Sequence, residues 1–183
     1  MATTNLRRAR GGPNAAGEPL ADAHRILARR PLTDLELRSR LTAMGHGPEA
    51  VDRVAERLLK DGLLDDQRLA SHFILTRAAR LGHGRRRLLR DLERRGVAPA
   101  TARGAWDEAV RVGDLDPLAT LRREIARRVA SLAGRVDGKA YGRMYNALFR
   151  AGFEASTIEA ALDGAGLDAS RGASPERVPD DFA

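Results

Sequence analysis

Arginine is the residue with chemistry to offer in this chain. Residues 84–96 read Gly-Arg-Arg-Arg-Leu-Leu-Arg-Asp-Leu-Glu-Arg-Arg-Gly. Helical spacing turns Leu88, Leu89 and Leu92 towards a core and leaves Arg86, Arg87, Arg90 and Arg94 on the outer surface. Arg85 and Arg86 stand at the helix N-terminus, where unpaired N–H groups and the dipole already attract anions. Cations are locally unfavourable there, which hints at an anionic partner. A guanidinium offers a planar fork of donors matched to phosphate and carboxylate, where an ammonium is a point charge. With Arg77 and Arg95 at its flanks, the candidate partner- or nucleic-acid-binding set is Arg77, Arg85, Arg86, Arg87, Arg90, Arg94 and Arg95. The bland alternative is an ordinary solvated helix face.

Other reactive groups lack the spacing that catalysis or metal binding needs. His24, His46, His72 and His83 form no pair with a second histidine or a carboxylate at metal-ligand spacing such as i,i+4 on one helix. There is no phosphate loop ending in Gly-Lys-Ser/Thr and no Gly-x-Ser-x-Gly elbow. The absence of cysteine excludes a thiolate nucleophile, a Cys-ligated zinc and a disulfide framework. The acidic pair Asp65–Asp66 reads as a helix start. Trp106 falls on an inward helix face and reads as core, and at 4% aromatic residues the chain is poorly equipped to stack on bases. A non-catalytic protein with no cofactor and no metal is expected.

The elements that must position these arginines are helices. No window alternates β-branched or aromatic residues with polar ones over a strand length. Leu118, Leu121, Ile125, Val129 and Leu132 recur at spacings of three and four and form one apolar stripe. Thr33 with Glu36 has the form of a capping box, Asp65 and Asp137 suit N-caps, and Pro48, Pro99 and Pro117 suit first-turn positions. Gly45, Gly62, Gly82, Gly96 and Gly152 follow apolar-periodic runs, as left-handed C-caps do.

Three segments superimpose without gaps around a glycine. They are Leu37–Arg40–Leu41–Gly45–Val51–Val54, Leu88–Asp91–Leu92–Gly96–Ala102–Ala105 and Met144–Ala147–Leu148–Gly152–Ile158–Ala161, with 51 and 56 residues between equivalent glycines. Each predicts a helix, a Gly turn and a second helix packing back, and another helical run precedes each pair. The expected fold is all-α: three tandem three-helix repeats over residues 20–64, 65–112 and 113–166, forming an elongated, curved array because so small a unit buries little by itself. Residues 1–19 and 167–183 lack apolar side chains for a core and read as disordered tails, the first one basic.

Charge follows the repeats unevenly. The chain has 183 residues, 32 Lys+Arg against 25 Asp+Glu and a net charge of +7, and all but Lys60 and Lys139 of the basic residues are arginines. The repeats carry +1, +5 and +1 in order, so the middle one holds most of the excess. Such a balance favours phosphate backbones or an acidic protein surface as partners. At 43% apolar residues the chain can build a core, yet no run approaches a membrane span and the first residues carry no secretory signal, so a cytoplasmic protein is expected.

At the repeats the residues resemble a known family. Ala28-Arg-Arg-Pro-Leu-Thr-x-x-Glu-Leu-Arg-x-Arg-Leu41, Gly62-Leu-Leu-Asp-Asp-x-Arg-x-Ala70 and Gly84-x-x-Arg-Leu-x-x-x-Leu-x-x-x-Gly96 are similar to the RecX family of bacterial regulatory proteins. The resemblance runs from about residue 20 to 164 and is strongest over the first two repeats. Leu69 stands where the family often has an aromatic residue, Arg85 where Pro is common and Asp91 where Glu is usual. The resemblance implies a monomeric, non-enzymatic DNA-repair and SOS-response protein. It would bind RecA and the RecA–single-stranded DNA filament, mainly inhibiting the recombinase, with at most weak non-specific affinity for nucleic acid.

Two other readings use the same residues. Thr33 through Leu64 also reads like a winged-helix DNA-binding regulator, but that fold needs a hairpin where Asp65–Leu81 is patterned as a helix. A helical RNA-associated protein would place the same arginines on phosphate. The tandem-repeat reading has its own test. The radius of gyration of the chain trimmed to residues 20–166 should clearly exceed the roughly 15 Å of a compact domain of this size. A compact profile in small-angle scattering would overturn the elongated array.

Overall fold

A computed structural model describes residues 18–132 and 136–167, and the tails assigned from composition lie almost wholly outside them. Among the described residues there are nine α-helices and no strand. They are α1 (Pro19–Leu27), α2 (Asp34–Ala43), α3 (Pro48–Lys60), α4 (Asp66–Leu81), α5 (Arg85–Arg94), α6 (Pro99–Arg111), α7 (Pro117–Ser131), α8 (Gly138–Arg150) and α9 (Ala155–Gly164). They make three three-helix repeats, and the helix over Asp66–Leu81 occupies the stretch where a winged helix needs its hairpin.

The same turn joins the second and third helices of every repeat. Gly45, Gly96 and Gly152 have φ of 93°, 89° and 95°, a region that L side chains rarely adopt. The residue after each glycine donates its N–H across the turn to a leucine carbonyl: His46 to Leu41 at 3.2 Å, Val97 to Leu92 at 3.1 Å and Phe153 to Leu148 at 3.3 Å. Such a closure satisfies carbonyls that a helix end would leave unpaired. Leu41, Leu92 and Leu148 are fully buried, so the turn that ends each helix is anchored in that repeat's core.

Each repeat has its own apolar cluster. Ala23, Leu37, Leu41, Val51 and Leu58 centre the first. Ile74, Leu88, Leu92, Ala105 and Trp106 centre the second, with the indole inward as its position predicts. Leu121, Tyr141, Met144, Leu148 and Ile158 centre the third. The start signals expected at Thr33, Pro48, Pro99, Pro117 and Asp137 hold. Thr33 and Glu36 form a reciprocal capping box, Pro48, Pro99 and Pro117 sit in first turns, and the Asp137 carboxylate accepts the Ala140 N–H at 2.7 Å. One member of the predicted α7 stripe departs: Leu118 is 38% exposed, because a residue in the first turn has less neighbouring chain to cover it.

By contacts the chain divides after Asp66 into two compact units. The first holds α1–α3. There His46 takes the position that Val97 and Phe153 take in the other repeats, and it is just as buried. A buried imidazole needs a polar partner. Asp22 of α1 provides one, its Oδ2 lying 2.9 Å from His46 Nε2, and Arg25 pairs with the other oxygen of that carboxylate. The Arg25 guanidinium, with help from His46, holds the Asp22 carboxyl below its usual range.

In the second unit, the second and third repeats interlock through backbone. Gly84 donates its N–H to the Ala151 carbonyl at 2.8 Å, and Arg86 donates its N–H to the Gly152 carbonyl at 3.1 Å. The turn ending α8 therefore caps the start of α5, with carbonyl groups facing N–H groups as in a continuous helix. The approach leaves no room for a side chain. A Cβ on Gly152 would lie 2.4 Å from the Arg87 nitrogen, and one on Gly84 would lie 2.5 Å from the Gly152 carbonyl. A third contact uses Arg123 of α7, whose Nη2 donates to the Ala78 carbonyl near the end of α4 at 3.3 Å.

Gly113 supplies an internal control, with φ of 83° and nothing within 4 Å of an added Cβ. Gly113→Ala should cost only the backbone strain, about 1–3 kcal/mol. Gly152→Ala should cost about a further 1–3 kcal/mol from overlap with α5. Urea unfolding of the full-length variants measures the difference, and equal losses would mean that the two turns separate without cost.

Candidate partner-binding face

α5 carries the arginine run, and the interlock decides which of its cations face outward. Arg86 does so only in part. Its guanidinium lies 4.6 Å from the centre of the Phe149 ring of α8, where a cation is attracted to the ring face. Arg86 is therefore half-buried on the side towards the third repeat. Two N–H groups at the α5 start, those of Gly84 and Arg86, are already taken by the Ala151 and Gly152 carbonyls. Arginines there are not misplaced. They stand beside the carbonyl end of α8, which favours positive charge.

The other predicted residues separate into three groups. Arg77 and Arg95 converge on Phe73, their guanidiniums 4.4 and 5.7 Å from its ring centre, so both belong to the packing between α4 and the end of α5. Arg85 is half-exposed with Nη2 3.4 Å from Asp107 Oδ1 on α6. Asp91 sits between Arg87, at 3.8 Å, and Arg94, and so neutralises part of the run. Arg90 is exposed and has no ion-pair partner among the described residues. Arg94 is 76% exposed despite its pairing with Asp91. The outward cationic face of α5 is therefore Arg90 and Arg94, with Arg87 partly turned to it.

Three residues outside the predicted arginine set join the second and third repeats. Phe149 and Gly152 belong to α8 and its turn, and the third is Glu124 of α7. Glu124 is buried against Gly82, where an added Cβ would lie 2.3 Å from its carboxyl carbon, and both Arg127 and Arg128 pair with it. Burial pushes the Glu124 carboxyl up, but the two guanidiniums outweigh it and hold it below the ordinary value. Gly82 and Gly152 were legible as glycines at turns, while the approach of Gly82 to Glu124 and of Gly84 to Gly152 had no local signal. Among the described residues no group of three His, Asp or Glu side chains could hold a metal, and no helix is long and apolar enough to cross a membrane.

Fold and face together define a helical-repeat protein that presents a basic helix of its second repeat. Comparisons with known proteins give that class a family. The second three-helix domain of RecX matches residues 65–105, the repeat that carries the arginine run. The chain is 41% identical over 115 residues to the regulatory protein RecX of Halorhodospira halophila, covering 62% of this chain and 68% of that protein. It is 37% identical over 116 residues to the RecX of Escherichia coli (strain SE11), covering 58% and 67%. A crystal structure of RecX from Lactobacillus salivarius superimposes with a TM-score of 0.71 at 14% identity, over 82% of this chain and 96% of that one, a likeness of fold. This chain belongs to the RecX family of regulatory proteins.

The interlock should respond to pH through His83. That residue lies in the tight α4–α5 connection, buried, with its Nδ1 unpaired among the described residues. Burial first, and then the Arg87 charge, lowers its pKa below the ordinary 6.5. A histidine with a depressed folded pKa favours the neutral folded form, so its stability contribution is complete above about pH 6.5 and shrinks as pH falls towards the folded value. Thermal unfolding between pH 7.5 and 5.5 should show stability decreasing over that range, and His83→Gln should flatten the dependence. An unchanged slope in the variant would place the titrating group elsewhere.

Proposed function

We propose that this chain binds RecA and the RecA filament on single-stranded DNA, and that it modulates the recombinase, mainly by inhibition. It does so as a non-enzymatic protein of the cytoplasm. Membership of the RecX family is the observation that carries this reading. The arginine helix supports the choice of face, because it lies within the matched three-helix domain and turns Arg90 and Arg94 outward. Paired cations on one helix face suit an acidic protein surface or a phosphate backbone, and a nucleoprotein filament presents both. The interlock with the third repeat fixes the orientation of that helix, so less ordering remains to be done on binding.

The test is co-sedimentation with RecA filaments assembled on single-stranded DNA, with free single-stranded DNA as comparison and inhibition of recombinase activity as readout. Arg90→Glu with Arg94→Glu should leave folding within about 0.5 kcal/mol of the parent. The same change should weaken inhibition about tenfold or more, most clearly at low salt where charge attraction is least screened. Arg103→Glu, an exposed reversal on α6, should have little effect. Full inhibition by the double variant would remove α5 from the binding face. Failure of the parent chain to bind filaments at all would overturn the RecA reading.

A further inference from the structure

The third repeat carries an apolar groove that the RecA reading does not use. It lies between α7 and α9, with a volume of about 910 Å³. Leu118, Ile125 and Val129 line the α7 side, and Ala160, Ala161 and Gly164 line the α9 side. Arg122 is the one charged residue of the described groove lining. It falls in the α7 row Leu118–Arg122–Ile125–Val129, whose helical spacing would suit a further apolar residue. It has no ion-pair partner among the described residues, although its neighbours on α7 are engaged: Arg123 bonds the end of α4, and Arg127 and Arg128 pair with Glu124. An exposed apolar groove of this size marks a binding site, and an unneutralised cation set among hydrocarbon selects for an anion.

We propose that the α7–α9 groove is a docking site for an amphipathic helix of another protein, its apolar stripe against the groove walls and one carboxylate of that stripe paired with Arg122. The walls decide the form of the partner. Both are α-helices, whose backbone groups bond internally, so neither offers the free row of N–H and C=O groups that an added strand requires. An extended segment would press its own unpaired backbone groups onto hydrocarbon, whereas a helix arrives with them satisfied. At Ala160, Ala161 and Gly164 the α9 side rises no further than Cβ, so a third helix can come to the roughly 8–10 Å of ordinary helix packing. The groove runs about 18 Å along α7 from Leu118 to Ala130, the length of about three helical turns.

Charge and packing decide where such a helix comes from. The carboxylate follows from Arg122, and the net charge of +7 on the whole chain further favours an acidic partner. A second copy of this chain is a poor occupant. Each of the nine described helices already turns apolar residues into the cluster of its own repeat, so a copy has no described helix with a free apolar stripe to lend. Helix-in-groove recognition uses anchors one and two turns apart, and Leu118, Ile125 and Val129 present a row at that spacing. No α5 residue lines the groove, so docking there does not draw on the arginine face.

The probe is a synthetic helical peptide of about 14 residues, with leucines spaced i, i+4, i+7 and i+11 and one glutamate within that stripe; a second peptide carries lysine in its place. Titrated into the full-length chain, the glutamate peptide should shift the amide signals of Ala126, Ala130 and Ala160 and leave that of Trp106 in the second repeat unchanged. The lysine peptide should bind at least about tenfold more weakly. Arg122→Glu should reverse that preference, and Arg103→Glu, exposed on α6, should leave it as it was. Ala160→Trp, at an exposed position, fills the groove and should abolish the Ala126 and Ala130 shifts from both peptides while the chain unfolds as the parent does. No groove shifts at about 1 mM glutamate peptide, or a preference indifferent to Arg122→Glu, would overturn the proposal. Groove signals that move with the concentration of the chain alone would assign the surface to a second copy and overturn it as well.

Discussion

The bond from the Gly84 N–H to the Ala151 carbonyl, with its neighbour from Arg86 to Gly152, is the constraint on which the candidate face depends. A helix start leaves unpaired donors and a helix end leaves unpaired acceptors. Placing the end of α8 against the start of α5 satisfies both at once. Hydrogen bonds of this length require backbones in contact, which is why glycine occupies both sides and why the third repeat sets the orientation of a helix belonging to the second. The distribution of charge is a consequence. Arg86 is drawn over Phe149, two N–H groups at the α5 start are already taken, and the most exposed cations are those further along the helix, at Arg90 and Arg94.

The three repeats are variations on one local solution, a leucine-anchored turn through a left-handed glycine. They differ in the side chain carried by the residue after that glycine. Val97 and Phe153 bury hydrocarbon at that position, which needs no further partner. His46 buries a ring with two nitrogens there, and the first repeat answers with Asp22 and Arg25 on its opening helix. A polar group in that position ties α1 to the turn between α2 and α3 by a directional bond rather than by packing alone. The geometry of the turn is preserved while the chemistry that secures it changes.

Exposed charge and buried charge have separate roles in the second unit. Glu124 is buried and pairs with the exposed Arg127 and the half-buried Arg128, and the turn at Gly82 lies against it. Removing both arginines would leave an uncompensated carboxylate in a water-poor place. Arg90 and Arg94 contribute little to folding by comparison, because solvent screens them. The high arginine content therefore does not mark one continuous binding surface. Part of it stacks on Phe73 and Phe149, part neutralises Asp91 and Glu124, and a small remainder is available to a partner.

Local patterns in the sequence were enough for the helices, their starts at Thr33, Pro48, Pro99, Pro117 and Asp137, and the three equivalent glycine turns. Capping, proline placement and left-handed glycine each act within about one helical turn, so a short window contains the whole cause. The same windows marked α5 as the most basic helix. They could not say which arginines on it face water. Arg86 is half-buried against Phe149, and Arg77 and Arg95 against Phe73, through contacts that no helical periodicity encodes. His46 likewise had no visible partner, because Asp22 precedes it by 24 residues and meets it only after α1 has packed. Helical pattern is a property of neighbours along the chain and is written there; the exposure of a charge depends on what folds over it, and that was settled only when distant turns came into contact.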